Sequence, residues 1–146
     1  MTHITEAEAK LFFELAAKDF APEFKIIPAH VAQVVEIAGI MARKDGLPIA
    51  QARAAAWLHD CGYKFGQKDH AARSLEMAKE AGLALTMEME DAIANHGSKA
   101  QPITPLGKLM KRADKLSILN PQMIEDFYPD HMNELKMWCQ WAVDVI

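Results

Sequence analysis

The chain has 146 residues, 51% of them hydrophobic and 25% charged, the size and balance of one globular domain with a sizeable buried core. A formal charge of −4 and a pI near 5.8 argue against a broad basic surface for nucleic acid, although a small anionic substrate stays open because a bound metal can reverse the local field. The start, MTHITEAEAK, has neither a basic nor an apolar leader region, and no uncharged apolar run of about eighteen residues follows, so the expectation is a soluble cytoplasmic protein without membrane association.

The elements read as helices throughout. Thr5-x-x-Glu8 resembles a capping box, and Ala9, Phe12, Phe13 and Ala16 follow on one face of a helix that ends near Phe20. A second helix runs from about Pro28 to Lys44 with His30, Val34, Ile37, Ala38 and Met41 on one stripe, and Gly46 and Pro48 end it. The third, from about Pro48 to Asp60, is apolar around most of its circumference and should be the central buried helix. After the loop CGYKFGQK, helices are expected at about 69–81, with Asp69 as N-cap and Gly82 as stop, and at 86–96, stopped by Gly97. Two more are expected at about 105–119 and 129–146. No stretch alternates as a strand would, so the fold class is all-α: a single-domain bundle of about six or seven helices spanning 1–146.

The metal-capable groups His30, His59, Asp60, His70, His96 and Asp114 each fall near a helix end or on an apolar stripe. Leu58-His59-Asp60 is the sharpest case, because two polar residues close a helix that reads Ala-Ala-Ala-Trp-Leu. Burying such a group without a partner costs about 1–3 kcal/mol when neutral and more when charged, so something must satisfy it.

The order His30, His59-Asp60, Asp114 resembles that of the HD-domain metal-dependent phosphohydrolases, over about residues 28 to 118. The segments AAAWLHDCGYK and LMKRADKLS carry the likeness. The resemblance implies that His30, His59, Asp60 and Asp114 hold one metal. It further implies that His70 and His96, which lie between the HD pair and the last Asp as in dinuclear members, hold a second, with Asp60 bridging. One or two divalent transition metals are expected, since imidazole with carboxylate suits Fe, Mn, Co, Ni or Zn. Such metals lower the pKa of water to about 7 and polarise phosphoryl oxygens. Asp60, Lys64 and Lys115 are the expected catalytic residues, with Lys111 and Arg112 as further candidate cations, acting on a small phosphate ester. Relatives place a lysine directly after the Gly of HDxGK, whereas here Tyr63 precedes Lys64.

Plainer readings stand beside these. His70 could be an exposed first-turn residue, and His96 a cation favoured at a helix C-terminus. Lys108, Lys111 and Lys115 repeat as a solvated face would. Cys61 reads as a small buried thiol, with Cys139 also reduced and no CxxC spacing between them. His3 and His131 face solvent, and Glu88, Glu90 and Asp91 fit the dipole of their helix. Trp138, Trp141 and Val145 form either core or a homodimer face on the last helix. Two rival functions share the ligand order: a diiron oxygenase like the inositol oxygenase group, and a non-catalytic HD module that senses a nucleotide.

Overall fold

The computed structural model describes residues 2–117. The helix expected at 129–146, its Trp138, Trp141 and Val145 stripe, the homodimer face built on it, His131 and Cys139 all lie outside the described residues. Among the described residues there are six α-helices, two short 3₁₀ turns and no strand, as the all-α expectation requires.

Helix α1 (Glu6–Ala17) opens where the Thr5 hydroxyl accepts the Glu8 N–H at 3.1 Å. The hydroxyl also donates to the Glu8 carboxylate at 2.9 Å, so half of the anticipated capping box is present. A 3₁₀ turn (Pro22–Phe24) leads into α2 (Ile27–Asp45), which stops at Gly46 in the left-handed region at φ 70°. Helix α3 (Ile49–Leu58) is the central element. Its Ala52, Ala54, Ala55, Ala56 and Leu58 are fully buried, and it packs against α1, α2 and α5. Alanine on several faces is what permits this, since small side chains let three neighbours approach one helix closely.

The segment expected as a plain loop contains a 3₁₀ turn (Cys61–Phe65) packed on α4 (His70–Glu80). Asp69 does not cap α4. Its backbone is left-handed, at φ 55°, and its side chain makes no capping bond, because the chain reverses there to carry His70 inward. Gly82 does provide the stop, at φ 75°. Helix α5 (Met87–Ala94) is capped by Thr86 and α6 (Pro105–Leu116) by Thr104, each hydroxyl accepting an N–H of the first turn. Gly107 sits where α6 meets α5, and a Cβ there would run into the Asp91 carboxylate.

One hydrophobic core joins these helices, with Val34 and Ala38 of α2, Leu58 of α3, Ile93 of α5 and Met110 of α6 at its centre. Each large aliphatic side chain fully buried there contributes about 1.5–3 kcal/mol. The Pro22–Asp45 stretch has the length and composition to cross a membrane. Its apolar face is accounted for by this core, because Val31, Val34, Val35 and Ala38 are all buried within the bundle.

Candidate metal centre

Five elements deliver the polar residues of the site. His59 is the C-cap of α3, with Asp60 directly after it, and the two are 0% and 2% exposed. His30 lies in the first turn of α2, and His70 opens α4. His96 follows the end of α5, and Asp114 sits in the last turn of α6. The structure brings all six together in two groups that share Asp60: His30, His59, Asp60 and Asp114, and Asp60, His70 and His96.

Asp60 lies between them. Its Oδ2 is 3.1 Å from His30 Nε2 and 3.2 Å from His59 Nε2. Its Oδ1 is 3.2 Å from both His70 Nε2 and His96 Nε2. Asp114 Oδ1 closes the first group at 2.9 Å from His30 Nε2 and 3.3 Å from His59 Nε2.

The other nitrogen of each ring fixes its tautomer. His59 Nδ1 faces the Ala56 carbonyl, His96 Nδ1 the Ile93 carbonyl at 2.9 Å and His70 Nδ1 the Gln67 carbonyl at 3.0 Å. A carbonyl only accepts, so each Nδ1 carries the hydrogen. His30 Nδ1 lies 2.7 Å from Ser117 Oγ, whose own hydrogen goes to the Asp114 carbonyl at 2.8 Å, which again leaves Nδ1 as the donor. Neutral rings held in this way present four bare Nε2 lone pairs to two carboxylates.

Such an arrangement repels itself unless a positive charge lies between the groups. His70 Nε2 and His96 Nε2 are 3.2 Å apart, and the buried Asp60 Oδ1 that both face has no hydrogen-bond partner. A transition metal answers all of these at once. Adjacent ligands of an ion bound at about 2.1 Å are about 3 Å apart, and the contacts of 2.9–3.3 Å here match that spacing. Imidazole and carboxylate donors, with each ring anchored behind, are the donor set that Fe, Mn, Co, Ni or Zn favour.

Without a metal, protons take its place. Burial pushes His30 down, but the Asp114 and Asp60 carboxylates outweigh it and hold this histidine at about 9. Burial opposes the charge on His59 too, and Asp60 and Asp114 raise it to about 10. His70 is raised against its own burial by Asp60. Burial would raise the two carboxyls, yet the histidines keep Asp60 and Asp114 well below the usual range, so both stay ionised. Burial pushes the neighbouring Cys61 thiol up to about 12, and Cys61 is a neutral packing residue rather than a nucleophile.

A cavity of about 330 Å³ opens over the cluster, lined by His30, Asp60, His70, His96 and Asp114 together with Ile26, Ile27, Tyr63, Gln67, Gly97, Ser98 and Lys115. Lys115 places Nζ 3.4 Å from Asp114 Oδ2 and is among the lining residues. Lys64 is not brought there. Its Nζ pairs with Asp19 at 3.5 Å, beyond α1, and lies over the Phe65 ring. Lys111 and Arg112 line a separate cavity of about 580 Å³ with Lys108 and Asp45. Lys111 donates to the Ala100 carbonyl at 2.8 Å there, and Arg112 pairs with Asp45 at 3.3 Å.

Sequence reasoning passed over several residues that shape the site. Tyr63 stacks on His70, with ring centroids 4.4 Å apart, and the departure from the HDxGK spacing was its only signal. Asp91, expected to serve the helix dipole, accepts from the N–H groups of Ile103 and Thr104 and from the Thr104 hydroxyl. It thereby holds the loop between His96 and α6. Ser74 and Ser117 tie ligand-bearing segments together and carried no recognisable signal.

Residues 29–119 match the HD domain family. This chain belongs to it. Among curated relatives, the HD chain is 33% identical over 110 residues to Ribonuclease Y of Thermus thermophilus, covering 73% of this chain and 19% of that protein. It is 35% identical over 95 residues to Ribonuclease Y of Petrotoga mobilis, covering 63% of this chain and 18% of the relative. The HD chain thus spans about a fifth of the length of these relatives. A solved structure described as a predicted HD superfamily hydrolase from an uncultured Thermotogales bacterium shares the fold. Its TM-score is 0.63 at 20% identity, covering 91% of this chain and 86% of that one.

Proposed function

We propose that this HD protein is a metal-dependent hydrolase of a phosphate ester, its substrate a nucleotide or another small metabolite. The observation that carries the reading is the convergence of four anchored Nε2 atoms and two ionised carboxylates, with Asp60 shared between two ligand groups. His30, His59, Asp60 and Asp114 would hold one divalent transition metal, and His70, His96 and Asp60 a second. When bound, such metals supply a water that ionises near neutral pH and a Lewis acid for the phosphoryl oxygens.

The protein's own residues do the rest. The Nδ1 anchors stop the four rings from turning, so the ligand atoms are preorganised before substrate arrives. Asp60 and Asp114 are held ionised and donate no proton, which leaves them as ligands. Lys115, at the cavity wall beside Asp114, offsets charge on a phosphoryl group seated over the cluster. Ile26, Ile27 and Tyr63 form an apolar wall, and Gln67 and Ser98 offer hydrogen bonds to the part of the substrate beyond the phosphate.

The similarity to proteins named Ribonuclease Y favours a second reading, cleavage of a phosphodiester in RNA by the same centre. The net charge of −4 and a cavity of about 330 Å³ favour the small ester. The test is release of phosphate or cleaved product from nucleoside monophosphates, dinucleotides, sugar phosphates and short oligoribonucleotides, by protein loaded in turn with Mn, Fe, Co, Ni and Zn. Turnover of the small esters supports the proposal, and turnover of the oligoribonucleotides alone transfers it to the second reading. Oxygen uptake with ferrous iron and no phosphoester turned over would overturn both.

A further inference from the structure

Asp60 and His70 must be held in register for the second ligand group to exist, and they belong to different elements joined by a turn. The residue that ties them is Ser74, which is completely buried one helical turn beyond His70. Its hydroxyl donates to the His70 carbonyl at 2.7 Å and accepts the Gly62 N–H at 2.8 Å. Gly62 stands two residues after Asp60. A Cβ on it would collide with the His70 carbonyl and lie 2.7 Å from the Ser74 backbone nitrogen, so the turn and α4 meet backbone to backbone. The Cys61 thiol adds a weak bond to the Ser74 carbonyl at 3.7 Å. Beyond the shared Asp60, the first ligand group makes no such demand on α4, since its other members His30, His59 and Asp114 come from α2, α3 and α6.

We propose that Ser74 is the positioning residue of the second metal group: its hydroxyl locks the turn after Asp60 to the start of α4 and so sets the place of His70 opposite Asp60. This rests on the two-metal reading of the centre. Removing the hydroxyl strands the Gly62 N–H and releases the His70 carbonyl, which loosens His70 while leaving the first group's own anchors, the Ala56 carbonyl and Ser117, in place. The consequence is a selective loss of the second metal.

The experiment is a titration of the chelator-stripped full chain with Co²⁺, followed by calorimetry and by the visible absorption of the bound ion. The wild type is expected to take up two equivalents. Ser74→Ala is expected to weaken the second by about 10–100-fold and to leave the first within about threefold, the range seen when a group behind a metal ligand is removed. Thr5→Ala, which removes the N-cap of α1 and touches none of the candidate ligands, is the control for lost stability and should leave both affinities unchanged. If Ser74→Ala does not fold, Ser74→Cys keeps the volume with a weaker donor and should shift the second affinity in the same direction. Unchanged affinities in the Ser74 variant overturn the proposal while the two-metal centre stands. Parallel weakening of both sites also overturns it, since that marks general structural support. A wild type that binds one equivalent only brings down the proposal together with the two-metal reading.

Discussion

Replacing Asp60 by Asn tests the centre at the one residue common to both ligand groups. Asn keeps the shape but offers one oxygen and one NH₂, and the NH₂ has no lone pair for a metal. Since Asp60 Oδ2 faces His30 and His59 and Oδ1 faces His70 and His96, either orientation of the amide removes a donor from one group and the negative charge from both. The effect on stability can be worked through. A metal present at 100 times its Kd stabilises the native state by about 2.7 kcal/mol, and a 100-fold loss of affinity at the same concentration leaves about 0.4 kcal/mol. For a chain of this size that is a rise in Tm of about 5–11 °C for the wild type, and about 1–2 °C for the variant. Thermal melts of stripped protein with and without Mn²⁺ measure it directly, and the phosphoesterase assay should show a loss of at least about 10³-fold in kcat, or about 4 kcal/mol. An Asp60→Asn protein that keeps the wild-type metal shift and turnover would refute the ligand assignment and the mechanism built on it.

Further expectations follow from the same geometry. The folded-state values of His30 and His59 lie near 9 and 10, above an ordinary value of 6.5. Their contribution to the stability of metal-free protein is therefore complete below about 6.5 and is lost as pH rises through about 9–10. Urea unfolding of stripped protein should show that alkaline decline, and saturating metal should abolish it because the ion replaces the protons; a flat profile for the stripped protein would contradict the assignment. Lys115→Gln should lower kcat/KM by about 10–100-fold with metal stoichiometry intact. Lys64→Gln, which gives up an exposed pair with Asp19 and the contact with the Phe65 ring, should stay within about twofold of wild type; the reverse ranking would return the phosphate role to Lys64. Asp91→Ala removes the acceptor for Ile103, Thr104 and Asn95 and should destabilise by about 2–4 kcal/mol in urea. A change under about 0.5 kcal/mol would show that the loop before α6 is held by something else.

The helices could be read from the sequence because apolar stripes at the 3.6-residue period are long enough to register, and because Thr5, Gly46 and Gly82 mark ends by local chemistry. The two 3₁₀ turns could not, since three to five residues hold too little period to detect. Asp69 misled for a different reason: Asp favours N-caps, but it also tolerates the left-handed region, and the reversal toward His70 uses the second property. The six candidate ligand positions were legible as polar residues near helix ends or on apolar stripes, and their division into two groups followed from the resemblance to the HD family, as the geometry groups them. Which oxygen of Asp60 each ring meets was not legible, because it depends on how four separate helices pack around that residue.

Lys64 and Lys115 show where such reading stops. On sequence both are candidates, Lys64 just past the HD pair but displaced by one residue from the HDxGK spacing, and Lys115 just past Asp114. In a 3₁₀ turn successive residues point about 120° apart, so the single residue Tyr63 between Gly62 and Lys64 decides which side chain faces the centre. Tyr63 takes that position and stacks on His70, and Lys64 is turned outward to Asp19. The cation at the cavity wall is then supplied from the opposite side of the cluster by Lys115, on the helix that also brings Asp114. Asp114 and Lys115 thus share one helix, so on the proposed reading a single element would bring both a metal ligand and the cation beside the phosphate.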